Sequence, residues 1–100
     1  MREMLPQRRE SETFEMRWGG QNTLFFITLS RYEDGRIGEV FISGAKTGSD
    51  TESVTRDGAV LISLALQHGV SLETIKHAIT RNLNGDPSSI VGAVVDRIAG

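Results

Sequence analysis

The sequence predicts an α+β fold, in which a three-stranded antiparallel β-meander is followed by three helices packed on one face of the sheet. Three observations lead to this prediction. Apolar and polar residues alternate in the first half of the chain, which is the period of a β-strand. A helix-capping sequence follows the last of these segments, and two more capped stretches with helical spacing complete the chain. The central helix is long, and we expect it to be buried.

Tight turns join the three predicted strands. In the first strand, Phe14, Met16 and Trp18 alternate with charged residues, as expected for a half-buried strand. The second strand, Thr23–Arg31, is apolar on both faces near its start, which predicts a central position in the sheet. The third strand is Ile37–Ser43, and the Asp-Gly pair in the turn before it is a typical hairpin signal.

The central helix begins after a glycine-rich turn at residues 44–49. Ser49 and Glu52 have the spacing of a capping box, in which a hydroxyl and a carboxylate accept hydrogen bonds from the free amides of a helix start. Between residues 59 and 66 a single residue is polar, so we expect this helix to be buried on more than one face. Gly69 is the expected end of the helix.

Two shorter helices are expected after Gly69. Ser71 can cap the first of them. Its apolar stripe consists of Leu72, Ile75, Ala78 and Ile79. After a loop at residues 82–87, either Ser88 or Ser89 caps the last helix. Its apolar face consists of Ile90, Val91, Val94, Val95 and Ile98.

The composition indicates one small domain. The 100 residues carry a net charge of −2 and include no cysteine. This charge argues against strong nonspecific binding of nucleic acid, and the lack of cysteine excludes thiolate catalysis and cysteine-type zinc sites. We expect a flexible arm at residues 1–11 and a single domain at residues 12–100. No apolar run approaches the roughly 20 residues of a membrane span, so we expect no membrane partner and a cytoplasmic location.

The glycine-rich turn is the candidate ligand site, because backbone amides at a helix start attract anions such as phosphate. The candidate ligand-binding residues are Lys46, Thr47, Gly48, Ser49, Arg8, Arg9 and Arg36. The glycine spacing differs from that of a Walker loop, and Asp50 and Glu52 place negative charge where a phosphate would lie. A capped turn without a ligand therefore explains the same residues.

The sequence contains no recognisable catalytic group. His68 and His77 are too far apart in sequence for a metal-binding pair on one helix turn, and His68 is placed to offset the dipole at a helix end. Glu39 lies in an apolar strand, where it either pairs with Arg31 or Arg36 or faces solvent as an edge charge. We therefore expect no catalytic residue, no metal and no cofactor.

Three segments of the chain resemble a known family. They are Leu-Pro-Gln-Arg-Arg at residues 5–9, Tyr-Glu-Asp-Gly-Arg-Ile-Gly-Glu-Val-Phe-Ile at residues 32–42, and Leu-Gln-His-Gly-Val at residues 66–70, with Leu-Glu-Thr-Ile following at residues 72–75. In this order they resemble the TSCPD domain, the carboxy-terminal accessory domain of adenosylcobalamin-dependent (class II) ribonucleotide reductases. That domain also occurs alone in short proteins.

One departure from the family concerns the Thr-Ser-Cys-Pro-Asp motif after which it is named. The comparable stretch here is Pro-Ser-Ser-Ile-Val at residues 87–91, which keeps a serine but has no cysteine. The catalytic barrel, the radical-bearing cysteine, the cobalamin site and the redox-active tail cysteines of the reductases have no counterpart in the sequence. The resemblance thus implies a detached, non-catalytic module and does not imply reductase activity.

Three functions are compatible with the sequence. The first is an accessory or regulatory module that binds a protein partner, for which a ribonucleotide reductase is the candidate, or a nucleotide. The second is a structural homo-oligomer without a small ligand, because a free sheet edge and a small core favour dimerisation. The third is a weak binder of single-stranded nucleic acid, in which arginines would contact the phosphate backbone of the nucleic acid and Trp18 or Tyr32 would stack on its bases. The negative net charge of the chain argues against this third function.

Overall fold

The computed structural model describes residues 1–45 and 48–100. Within these residues, the elements are β1 (Ser11–Trp18), β2 (Thr23–Arg31), β3 (Ile37–Ser43), α1 (Asp50–Gln67), α2 (Leu72–Ala78) and α3 (Ile90–Ala99). The strands form one antiparallel sheet in the order β1-β2-β3. The α+β prediction is confirmed, as is the central position of β2.

The apolar core lies on one face of the sheet. The strand register places Phe14 opposite Ile27 and Ile27 opposite Ile42, so that all three strands contribute apolar residues to this face. Ile27 and Ile42 are fully buried there. The other face of the sheet carries Phe26 and Phe41, which are 40% and 48% exposed. The apolar residues on one face of β2 are therefore buried in the core, whereas those on the other face lie on the open side of the sheet.

Helix α1 packs along the outer edge of β3. Ser63 Oγ accepts a hydrogen bond from the Val40 amide at 2.9 Å and lies 3.1 Å from the Val40 carbonyl oxygen. One turn further along α1, Gln67 Nε2 donates to the Gly38 carbonyl at 2.8 Å. Two polar side chains of the helix therefore satisfy backbone groups that an edge strand would otherwise present to solvent.

Helix α1 is buried along one stripe, not on more than one face as the sequence suggested. Its buried residues are Thr55, Ala59, Ile62, Ser63 and Gln67. By contrast, Val54, Val60 and Leu61 are 67%, 55% and 66% exposed. The sheet and α3 cover the inner side of the helix, and among the described residues no element covers the side that carries Val54 and Leu61.

Serine caps begin both of the remaining helices. Ser71 Oγ accepts a hydrogen bond from the Thr74 amide at 3.1 Å, and Ser89 Oγ accepts one from the Gly92 amide at 3.0 Å. Ser89 rather than Ser88 is therefore the cap of α3. Helix α3 completes the core with Val94 and Val95, which are fully buried.

A bidentate ion pair joins the segment after α2 to α3. The Arg81 guanidinium donates to the two carboxylate oxygens of Asp96 at 2.7 and 2.9 Å. The same guanidinium also donates to the carbonyls of Lys76 and Gly85. The hydrogen bonds from the Arg81 guanidinium to the Asp96 carboxylate lower the pKa of Asp96 from its ordinary value. Arg81 thus fixes the loop between the two helices.

The first ten residues lie outside the helices and strands but contact the body of the domain. The Glu3 amide donates to the Gln67 carbonyl at 2.6 Å, at the end of α1. Arg2 donates to the Gln67 side chain, and the Tyr32 hydroxyl donates to the Glu3 carbonyl. The expected boundary between a flexible arm and the domain at residue 12 stays a prediction. In the part of the chain that the structure describes, no helix has the length and apolar character needed to cross a membrane.

Candidate functional site

The glycine-rich turn leads into α1 through the predicted capping box. Ser49 Oγ accepts a hydrogen bond from the Glu52 amide at 3.1 Å, and Glu52 Oε1 accepts one from the Gly48 amide at 3.1 Å. Gly48 has a φ of 78°, a left-handed conformation that favours glycine. Lys46 and Thr47, the other candidate residues of the turn, lie outside the described residues.

A small cleft lies beside this turn. It has a volume of about 100 Å³ and is lined by residues of β3 and of the first half of α1. Its charged lining residues are Glu52 and Arg56, and the Arg56 guanidinium lies 5.9 Å from the centre of the Phe41 ring. Pockets that enclose small organic ligands usually measure roughly 300 Å³ or more. The cleft formed by the described residues is smaller than that range.

Arg36 lies at the other end of β3 from the turn. Its guanidinium donates to Asp34 at 2.7 Å and to Glu3 at 3.0 Å, and it is stacked 4.7 Å from the centre of the Tyr32 ring. Hydrogen bonds from the backbone amide and the guanidinium of Arg36 lower the pKa of Asp34. Because a strand of this length spans about 20 Å, the structure does not bring Arg36 to Gly48.

Arg8 and Arg9 form a second separate location, on the arm. Arg9 donates to the Pro6 carbonyl at 2.9 Å and pairs with Glu39 at 3.2 Å. Arg8 is exposed and has no ion-pair partner in the described part of the chain. Together with Arg31 of β2, both arginines line one cleft of about 240 Å³. The candidate residues that the structure describes therefore lie in three places rather than one.

Glu39 faces solvent, which confirms the prediction that it is an edge charge of β3 rather than a buried, paired carboxylate. Its side chain is 40% exposed, and its partner is Arg9 of the arm rather than Arg31 or Arg36. Arg31 instead pairs with Glu12 at 2.6 Å, across from β2 to β1. These partners come from distant parts of the chain, which explains why the sequence did not identify them.

The two histidines occupy helix ends on the surface. His68 is the C-cap of α1, and its amide donates to carbonyls of the last helical turn. His77 is exposed and lies 3.0 Å from Glu73, one turn earlier in α2. Among the described residues, no three or more histidine, aspartate or glutamate side chains lie together in a group that could hold a metal ion.

The two aromatic residues considered for stacking on nucleic acid are covered to different degrees. Tyr32 is 7% exposed, and its hydroxyl donates to the Glu3 carbonyl. Burial, with the nearby Glu3 carboxylate, raises the pKa of Tyr32. Trp18 is half-buried and packs against the core. The exposed aromatic rings in the described residues are instead Phe26 and Phe41, on the open face of the sheet.

The sequence did not predict the exposed apolar side chains on α1. We call Val54, Val60, Leu61 and the neighbouring Phe41 the outer surface of α1. Val60 and Phe41 line a cleft of about 330 Å³, together with Leu64 and the charged side chains of Arg2 and Glu39. The sequence signal was present, because residues 59–66 contain more apolar side chains than one buried stripe of a helix requires.

Comparisons with known proteins identify the family of this sequence. The sequence model of the TSCPD domain matches residues 2–99. The vitamin B12-dependent ribonucleotide reductase of Agrobacterium fabrum is 39% identical over 79 residues, which are 79% of this chain and 6% of that protein. The enzyme of the same name from Rhodopirellula baltica is 35% identical over 98% of this chain and 10% of its own length.

A third relative extends the same comparison. The vitamin B12-dependent ribonucleotide reductase of Streptantibioticus cattleyicolor is 31% identical over 90% of this chain and 14% of its own length. The chain therefore spans between 6% and 14% of the length of these three relatives. No solved structure matches the chain.

Proposed function

This chain belongs to the TSCPD domain family, and on that premise we propose that it is a non-catalytic accessory module that binds a ribonucleotide reductase. The outer surface of α1 is the proposed contact. The observation that carries the proposal is the exposure of three aliphatic side chains, Val54, Val60 and Leu61, on the longest helix of the described residues. The cytoplasmic location expected from the sequence is part of the same proposal.

The composition of this surface suits a protein partner. Phe41 and Val60 border a cleft whose rim carries Arg2 and Glu39, and Asp57 lies exposed between the apolar residues of the helix. An apolar centre with a charged rim is the usual anatomy of a protein interface. Exposed apolar surface on a folded domain is a candidate site for a protein partner.

The relatives support a reductase as that partner. In each of them the matching region is a small fraction of a much longer protein named as a ribonucleotide reductase. A domain of that size within a large chain commonly packs against its neighbours. We propose that this chain uses the equivalent contact between separate molecules.

A nucleotide held at the glycine-rich turn is the competing proposal. It is supported by the position of Gly48 and Ser49 at the start of α1, where a helix attracts anions. Two observations count against it. Glu52 already accepts the hydrogen bond of the Gly48 amide, and the adjacent cleft is about 100 Å³ in volume. A protein partner is therefore the function that the geometry supports best.

The experiment is a binding titration of the chain against purified vitamin B12-dependent ribonucleotide reductase from Agrobacterium fabrum from which the region that matches this chain has been deleted, because that region would occupy the same contact. We expect saturable binding, and we expect Leu61→Lys to weaken it about tenfold or more, because the substitution places a charge at the apolar contact. The matched control is Leu83→Lys, since Leu83 is a fully exposed leucine outside α1. No binding by the unmodified chain, or equal binding by Leu61→Lys, overturns the proposal.

A further inference from the structure

The sheet has one covered edge and one free edge. At the β3 edge, Ser63 and Gln67 of α1 bond to the backbone of Val40 and Gly38. At the other edge, β1 pairs with β2 on its inner side, and within the described residues no strand or helix pairs with its outer side. A strand of eight residues with a free backbone edge is a template for pairing with another strand.

The hydrogen-bonding pattern shows which residues of β1 present their backbone outward. The Arg31 amide donates to the carbonyl of Glu10, its opposite residue in the register. In an antiparallel ladder such hydrogen-bonded pairs alternate with pairs that do not exchange hydrogen bonds. The alternation directs the amides and carbonyls of Glu15 and Arg17 away from β2, toward the free edge.

The side chains at this edge are incompletely covered. Phe14, Met16 and Trp18 lie on the core face of β1 and are half-buried, although they pack against the buried core. Glu15 and Arg17 alternate with them on the open face and are exposed. The edge therefore combines a row of three partly exposed apolar side chains with a pair of opposite charges.

We infer that β1 pairs antiparallel with β1 of a second copy of this chain, about a two-fold axis that passes at Met16. In this register Glu15 lies opposite Arg17 of the second copy, and Phe14 lies opposite Trp18 of the second copy. The two Met16 side chains meet at the axis. Each apolar residue of the row then faces an apolar residue, and each charge faces its opposite, which are the cross-strand pairs that stabilise a sheet.

Neighbouring registers lack this complementarity. An axis at Glu15 places the two Glu15 carboxylates opposite each other, where they repel. An axis at Arg17 likewise places the two Arg17 guanidinium groups opposite each other. An axis at Phe14 places Glu12 opposite Met16 within the apolar row. The pairing of opposite charges and of apolar side chains therefore favours the register whose two-fold axis passes at Met16. The inference concerns the β1 edge and does not depend on the proposed contact of α1 with a reductase.

The absence of cysteine makes the register directly testable. In Met16→Cys, the two thiols meet at the axis, where opposite Cα atoms that are not hydrogen-bonded to each other lie about 4.5 Å apart, within the range that a disulfide spans. In the matched variant Phe14→Cys, the thiols of the two copies are displaced by four residues along the strand, or about 13 Å. We expect mild oxidation to give a disulfide-linked dimer of Met16→Cys but not of Phe14→Cys.

Charge reversal supplies an independent measurement on an unlinked chain. Glu15→Lys and Arg17→Glu should each weaken dimerisation about tenfold in sedimentation or light scattering, because each converts two attractive pairs into two repulsive ones. The double variant should recover most of the lost affinity. The inference is overturned if the unmodified chain is monomeric at a concentration of about 100 µM. It is also overturned if Phe14→Cys forms the disulfide-linked dimer in preference to Met16→Cys.

Discussion

The Ser63 hydroxyl of α1 lies within hydrogen-bonding distance of both the amide and the carbonyl of Val40 in β3, at 2.9 and 3.1 Å. All three groups are buried. A helix side chain therefore occupies the position that a neighbouring strand would take beside β3. This contact joins the longest described helix to the sheet through polar groups as well as apolar ones.

Ser63→Ala tests the energetic importance of that contact. The substitution leaves the buried Val40 amide without its acceptor, so we expect the free energy of unfolding to fall by about 1–3 kcal/mol. Urea denaturation should show a lower midpoint with an unchanged slope. Ser53→Ala is the control, because Ser53 is an exposed serine of the same helix and the substitution carries the same change in helix propensity. Equal midpoints for the two variants would show that the edge contact is not stabilising.

Asp96→Asn should destabilise the protein in a pH-dependent way. The hydrogen bonds from Arg81 lower the pKa of Asp96 in the folded state, so the carboxylate stabilises the fold above its unfolded pKa of about 3.9. At pH 7 we expect a loss of about 1–2 kcal/mol in Asp96→Asn. Below pH 4 the difference from the unmodified chain should shrink, because the unmodified chain then loses the same contribution by protonation.

Asp57→Asn is the matched control for that experiment. Asp57 is exposed on α1 and has no ion-pair partner among the described residues. Its substitution should change the unfolding midpoint little at either pH. If Asp96→Asn and Asp57→Asn behave alike across the pH range, the Arg81 pair does not contribute to stability.

Tyr32→Phe tests whether the first residues of the chain are docked or flexible. It removes the hydroxyl that donates to the Glu3 carbonyl, and we expect a loss of about 1 kcal/mol together with faster hydrogen exchange at the Glu3 amide. Burial raises the pKa of Tyr32, so its stabilising contribution is complete below the unfolded pKa of about 10 and is lost at higher pH. The two proteins should therefore converge in stability above pH 10. An unchanged exchange rate at Glu3 would instead support the flexible arm that the sequence predicts.

A nucleotide panel tests the glycine-rich turn. We expect no change in the melting temperature with ribonucleotides, deoxyribonucleotides or adenosylcobalamin, because the cleft beside the turn is about 100 Å³ in volume. A dose-dependent rise that disappears in Lys46→Ala would establish the turn as a ligand site. A rise that survives in Lys46→Ala would place the ligand elsewhere.

Local patterns predicted the elements of this fold, because they depend on neighbouring residues. The capping of α1 by Ser49, of α2 by Ser71 and of α3 by a serine before Ile90 follows from residues within one turn of each helix start. The hairpins were predictable for the same reason. Their sequence signals lie in the turns themselves.

The distribution of candidate site residues was not predictable from local patterns. Whether Arg36 meets Gly48 depends on which end of β3 each residue occupies, and the partner of Glu39 comes from residues 1–10, which have no periodic pattern. The periodicity of α1 predicted a buried helix but did not indicate which of its apolar sides the sheet would cover. Val54 and Leu61 consequently looked like core residues in the sequence and are exposed in the structure.

The unequal edges of the sheet limit how far copies of this chain can associate. Strand-by-strand addition into an open fibril requires each molecule to offer two adhesive edges. Here Ser63 and Gln67 already bond the backbone on the β3 side, which leaves β1 as the adhesive edge. If β1 pairs with β1 of a second copy, as inferred above, each molecule has used its free edge, and we expect association to stop at a symmetric dimer. We therefore expect substitutions of Ser63 or Gln67 that uncover the β3 backbone to favour larger assemblies than a dimer.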